Sequence, residues 1–162
     1  WTDSFADPAH TARQKAYARA AGERMVYTPQ MIVGGVHHVV GTRAMQVAAL
    51  IERESEDAAR VALDLAETDG RLRISARALG GEADPCVVQV VRFIPRETVA
   101  IHSGENAGHR LTYANIVRSW EVVAEWDGTG TLELEVPRGD TPVAVIVQRR
   151  GHRAILAAAR LE

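Results

Sequence analysis

The chain has 162 residues, 46% of them apolar and 25% charged, the balance of an ordinary globular protein, which excludes a disordered or a fibrous chain. Nineteen Lys+Arg against 21 Asp+Glu leave a formal charge of −2, without the basic excess of a nucleic-acid binder, and no apolar run approaches the roughly 18–20 residues of a membrane helix. The single cysteine, Cys86, excludes an internal disulfide and an internal CxxC pair.

The chain opens on Trp1, with neither an initiator Met nor the charged and apolar regions of a signal peptide. It therefore reads as a processed form or as part of something longer. Residues 7–21 predict a helix: Asp7 can cap it, Pro8 takes the favoured first position and Gly22 follows the last turn. Ala9, Ala12, Ala16 and Ala20 form a small-residue stripe suited to close packing on a sheet. Met31-Ile32-Val33 and Val36-His37-His38-Val39-Val40 flank Gly34-Gly35, a hairpin signal because tight primed turns need positive φ. Thr42 can cap a second helix over about 43–56, with Ala44, Val47, Ala48 and Ile51 as its apolar face. Glu52 to Arg60 is densely charged and reads as a solvated helix end and linker.

Beyond residue 60 the period changes to two. Val61, Leu63 and Leu65, then Leu72, Ile74, Ala76 and Ala78, alternate with other residues on either side of Asp69-Gly70, predicting a hairpin. Further strands are predicted at 86–94, 98–103, 110–118, 119–126, 130–136, 142–149 and 153–160, with Asp127-Gly128 and Gly139-Asp140 at turns. Over 109–125 a helix is the alternative, since Ile116, Trp120 and Val123 also fit a helical face, but β-branched and aromatic residues favour strand. The expected fold class is α+β: an α/β piece over 1–57 and an antiparallel β-sandwich over 58–162.

Tyr27-Thr28-Pro29-Gln30, followed by strand, Gly-Gly turn, strand and helix, resembles the C-terminal half of a thioredoxin fold, in which a proline with a cis peptide bond precedes a core strand. Trp1-Thr2-Asp3-Ser4-Phe5, Arg13-Gln14, Tyr17 and Tyr27 to Met31 extend the match. Gly104 to Gly108, Asn115-Ile116-Val117-Arg118, Trp126-Asp127-Gly128 and Ile155 to Ala159 extend it further. Together they resemble an uncharacterised bacterial family of secreted thioredoxin-like proteins with a β-rich C-terminal domain. The resemblance implies a periplasmic or secreted location, and a CxxC pair before the point where this chain begins. It also implies a strand–helix–strand unit that six residues cannot supply, so strand 31–34 is expected to lie beside a parallel neighbour from a missing N-terminal segment or from a protein partner.

The candidate chemistry is sparse. By resemblance, Tyr27, Thr28, Pro29 and Gln30 form a substrate- or partner-binding loop that works by strand addition. Cys86 follows Pro85 at the start of an apolar strand, with no cation or helix N-terminus to lower its pKa, and reads as a buried structural thiol. His37 and His38 point to opposite faces of a strand, and His10, His102, His109 and His152 are scattered, so no metal site and no cofactor is expected. Glu105 and Asn106, bracketed by glycines, suggest either a shaped loop or a binding loop that also uses Asn115 and Arg118. Trp120 and Trp126 read as core or rim aromatics, and Arg149, Arg150 and Arg153 as a solvated hairpin tip. No catalytic residue is assigned. The expected function is a non-catalytic thioredoxin-like binding or accessory module of the bacterial envelope, docking a larger assembly. The alternative is an envelope thiol–disulfide oxidoreductase whose CxxC lies upstream of Trp1. A third is a small-molecule binder built on the 104–108 loop.

Overall fold

A computed structural model describes residues 5–57, 59–101 and 107–162. Helix α1 (Pro8–Ala20) starts as the sequence predicts: the Asp7 carboxylate accepts from the Ala9 N–H at 2.7 Å and Pro8 sits in the first turn. Strands β1 (Gln30–Val33) and β2 (His37–Val40) pair antiparallel, Met31 opposite Val39, across a turn in which Gly34 and Gly35 both take positive φ. Helix α2 (Ala44–Glu56) follows. Its N-cap is Arg43, without a side-chain capping bond, and not Thr42. The Arg43 N–H donates to the Val40 carbonyl at 2.9 Å, which keeps Thr42 inside the preceding turn.

The predicted first hairpin of the β region is β3 (Val61–Thr68) and β4 (Arg71–Ala78), turned by Asp69 and Gly70 at φ 52° and 71°. Strands β5 (Cys86–Ala100), β6 (Arg110–Trp126), β7 (Thr131–Pro137), β8 (Val143–Arg149) and β9 (Ile155–Leu161) complete the chain. Two antiparallel sheets result, in the orders β3-β4-β7 and β6-β5-β8-β9. They pack face to face. Leu72, Ile74 and Ala76 of β4 lie in one core cluster with Val88 and Val90 of β5 and Val143, Val145 and Val147 of β8, all fully buried. Between them on β4, Arg71, Arg73 and Arg77 point to water, the period-two pattern of a half-buried sheet.

Two pairs of predicted strands are each one strand. Segments 86–94 and 98–103 fuse into β5, and 110–118 and 119–126 into β6, settling 109–125 as strand. Pro95 is tolerated because β8 flanks β5 only as far as Arg92, so the missing N–H falls where that ladder has ended. Opposite it Asn115 takes φ 52° and drops out of the β5–β6 register. Register shifts leave Arg118 and Val123 as unpaired bulge residues of β6. The second flips the strand's parity: Trp126 is buried in the core, whereas Val122, an even number of residues away, is 60% exposed.

The helices present other faces than the sequence suggests. On α1, Ala9, Ala12 and Ala20 are exposed, and the buried side is Arg13, Gln14, Tyr17 and Ala18. On α2 the inward residues are Val47, Leu50 and Glu54, while Ala44, Ala48 and Ile51 face out. The expected apolar stripes were misassigned because neither helix is gripped through close backbone packing. Helix α1 is held by long polar side chains, and α2 covers one face of a two-stranded hairpin, with His37 paired to Glu54 at 3.1 Å. Helix α2 thus packs on the hairpin, while α1 and the Gly34-Gly35 turn both meet the four-stranded sheet.

Replacing Leu72 by Ala should destabilise the protein by about 2–5 kcal/mol, since the vacated volume lies between two rigid sheets that cannot collapse onto it. Urea unfolding would read this as a lowered midpoint with an unchanged slope.

Candidate functional site

Helix α1 sits between the hairpin and the outer face of the four-stranded sheet, and two glutamines hold it there. Gln89 interrupts the apolar run Val87 to Val91 and Gln148 directly follows the run Val143 to Val147; they are 3% and 1% exposed. Both point away from the sandwich core, since the inward positions of β5 and β8 are Val88, Val90, Val145 and Val147. The Gln89 amide nitrogen donates to the Gln148 carbonyl oxygen at 3.0 Å. Gln148 in turn donates to the Tyr17 hydroxyl oxygen and to the Arg153 carbonyl, both at 2.7 Å. The Gln89 carbonyl oxygen accepts from Trp120 Nε1 at 2.7 Å and from Arg13 at 3.1 Å. Arg13 also donates to the Tyr17 oxygen at 3.0 Å, and its guanidinium lies 3.6 Å from the centre of the Trp120 ring. Trp120 reaches this face because the bulge at Val123 reverses its parity relative to Trp126.

The hairpin is tied to the same network. The Ile155 N–H donates to the Gly34 carbonyl at 2.8 Å. A Cβ at Gly35 would stand 2.5 Å from the Arg153 oxygen and 3.2 Å from the Gln148 amide nitrogen, so only glycine admits this approach. His152, in the β8–β9 turn, meets the Tyr17 ring edge-on at 5.1 Å. Burial pushes its pKa down, and the positive charges of Arg13 and Arg19 push it further the same way.

The loop singled out from the sequence lies against the middle of α1, at Gln14. The Thr28–Pro29 peptide bond is cis, and both residues are exposed at the start of β1. Gln14 of α1 donates to the Tyr27 carbonyl at 3.1 Å and to the Gln30 side-chain oxygen at 2.9 Å. The Gln30 amide then approaches His38 Nδ1 at 3.4 Å, and His38 Nδ1 lies 3.2 Å from Glu23. That nitrogen serves one partner at a time, accepting from Gln30 in one tautomer and donating to Glu23 in the other. Tyr27, Thr28, Pro29 and Gln30 are thus one structural unit, and Gln14 fastens it to α1.

Glu105 and Asn106 lie outside the described residues, and Asn115 and Arg118 are exposed on β6, one opposite Pro95 and the other at a bulge, not on a loop. Cys86 is fully buried, its thiol donating to the Asp84 carbonyl at 2.8 Å; burial, and then Asp84, raise its pKa, the reverse of a reactive cysteine. Trp126 is buried and donates to the Thr129 carbonyl at 2.8 Å. Arg149 pairs with Asp84, and Arg150 with Glu125 at 2.6 Å. Among the described residues no group of three or more His, Cys, Asp or Glu could hold a metal ion. What sequence reasoning missed is the set Arg13, Tyr17, Gln89, Trp120, Gln148 and His152. The available signal was a glutamine inside one valine-rich run and another directly after a second, where an unpaired amide would be too costly to bury.

Between α1, β1 and β6 lies a cleft of about 620 Å³, lined by Arg13, Gln14, Tyr17, Gln30, Ile32 and Trp120 among others. Gln30 and Ile32, which both line it, are two residues apart and share one face of β1.

The chain belongs to the family described as a protein of unknown function, DUF1223, which matches residues 1–148. It is similar to the crystal structure of protein AGR_C_4864 from Agrobacterium tumefaciens, at 27% identity and a TM-score of 0.80, over 99% of this chain and 73% of that one. No curated protein matches it.

Two outcomes follow from the network. Replacing Gln148 by Leu strands the Gln89 amide and the Arg153 carbonyl. It should cost about 1–3 kcal/mol in urea unfolding and shift the Trp120 indole resonance, which Leu72→Ala would leave in place. His152 is harder to protonate folded than unfolded, so the unfolded chain binds more protons on the acid side. Its contribution is therefore present above the ordinary histidine pKa of about 6.5 and lost as the pH falls below it. His152→Asn, which tolerates the left-handed backbone, should flatten that acid-side fall in the unfolding midpoint.

Proposed function

We propose that the chain is a thioredoxin-like binding or accessory module of the bacterial envelope, periplasmic or secreted. In this reading residues 1–57 are the C-terminal half of a thioredoxin-like domain and 58–162 a β-sandwich domain. The partner, another protein or a preceding segment, pairs with the open edge of β1. The carrying observation is that edge: among the described strands β1 pairs only with β2, leaving a row of backbone donors and acceptors beside the exposed cis-Pro loop. The front segment also carries exposed apolar side chains, Met25 at 80%, Met31 at 47%, Met45 at 84% and Ile51 at 55%. Isolated exposed methionines mean little, but Met31 lies on the unpaired strand itself.

A second reading is supported by the cis Thr28–Pro29 bond at the head of β1. In an envelope thiol–disulfide oxidoreductase this loop would hold an extended substrate against a CxxC pair encoded upstream of Trp1. The 162 residues cannot run that exchange alone, because their only thiol, Cys86, is buried and lacks a resolving partner.

A photo-crosslinker at Met31, in the protein expressed from its complete reading frame, tests both. An adduct with a second polypeptide is expected for the accessory module, and Ile32→Pro, which deletes a backbone donor of β1, should remove it. An adduct within the same chain, together with insulin reduction that is lost on replacing upstream cysteines by serine, would favour the oxidoreductase. No adduct of either kind would overturn the strand-edge reading.

A further inference from the structure

We infer that the cleft between α1, β1 and β6 is a binding site for a small carboxylate carried on an apolar body, with Arg13 as the anion receptor. A guanidinium has five N–H donors. Two of Arg13's are engaged, one by the Gln89 oxygen and one by the Tyr17 oxygen, both neutral acceptors. None of the ion pairs among the described residues includes Arg13. Glu121, which shares a neighbouring surface groove with Arg13, pairs with Arg92 at 3.9 Å.

A half-buried cation without an anion is costly. Burial lowers the Arg13 pKa, and its field helps hold His152 neutral, as expected where no carboxylate cancels it. The group is nevertheless rigidly placed, flat on Trp120 at 3.6 Å and fixed from two sides, so little freedom is lost when its remaining fork meets a planar carboxylate. Beside Arg13 the cleft is lined by the apolar side chains of Phe5, Ile32, Ile116, Val117 and Ile155, with Gln14, Tyr17 and Gln30 among the polar ones. A volume of about 620 Å³ falls within the range of small-molecule sites. A guanidinium beside these apolar side chains suits a carboxylate on an apolar body and disfavours a dication. This assignment does not depend on the strand-edge reading.

The test is a titration of the protein from its complete reading frame with octanoate below its micelle concentration. It is followed by NMR at the Trp120 indole and the Arg13 guanidinium, with octanamide as the uncharged control. Octanoate should shift both resonances saturably and octanamide should not. Arg13→Lys, which keeps the charge but loses the fork and the stacking, should weaken binding about tenfold or more. Val117→Phe, which narrows the cleft at a residue that makes none of the Arg13 hydrogen bonds, should also weaken it, so the test survives a failure of the Arg13 variant to fold. Absence of saturable shifts, equal binding of octanamide, or unchanged affinity in Val117→Phe would overturn the inference. So would shifts with the capped peptide acetyl-Val-Glu-Val-amide and none with octanoate, which would assign the site to a peptide-borne carboxylate.

Discussion

Two glutamines buried on the outer face of a sheet decide where everything in front of that sheet sits. Gln89 and Gln148 occupy adjacent strands, satisfy one another, and turn their remaining hydrogen-bonding capacity toward Tyr17, Arg13, Trp120 and the Arg153 backbone. A buried amide with an empty position is expensive, whereas a fully connected group of them is specific. Because each donor here has one acceptor at a fixed distance, α1 can dock in one orientation only. That orientation in turn sets where Gln14 meets the Tyr27–Gln30 loop and where the Gly34-Gly35 turn meets Ile155. Sliding α1 by one turn would break the Tyr17 and Arg13 contacts together. An apolar interface of the same area would tolerate such slippage far better.

The sandwich supplies the rigid platform. Its valine-rich core locks β5 against β8, and the two bulges of β6 shape the surface on which the glutamines act. Without the extra residue at Val123, Trp120 would share the core-facing side with Trp126, and its indole N–H could not reach Gln89. One unpaired residue in a ladder thus converts a core aromatic into the flat wall against which a guanidinium rests.

The front segment is the less self-sufficient part of the molecule. A two-stranded hairpin between two helices has little core of its own. Val39 is its one fully enclosed strand side chain among the described residues, and α2 buries none completely. Its ties to the sandwich are polar and local, while its apolar side chains at Met25, Met31, Met45 and Ile51 remain in water. The physical expectation is a segment stable where α1 grips the sheet and receptive where β1 lies open, which is the combination a docking element needs.

The sequence by itself determined the elements. Asp7-Pro8 started a helix, Gly34-Gly35 and Asp69-Gly70 turned hairpins, and period-two alternation from Val61 onward marked the strands, because these signals act between residues near one another in the chain. It also exposed Cys86 as a core thiol, since it opens a valine-rich strand with no neighbouring cation or helix N-terminus in the sequence. What only the tertiary structure decided is everything that depends on which residues meet across long sequence separations. The helix faces went astray because α1 is held by Arg13 and Tyr17 reaching glutamines 76 and 131 residues away, not by its alanines. The breaks expected within β5 and β6 vanished because a paired neighbour carries a strand past Pro95 and Asn115. The cleft at Arg13 was invisible for the same reason: an arginine, a tryptophan and an isoleucine far apart in the chain become a site only when three separate elements bring them to one place.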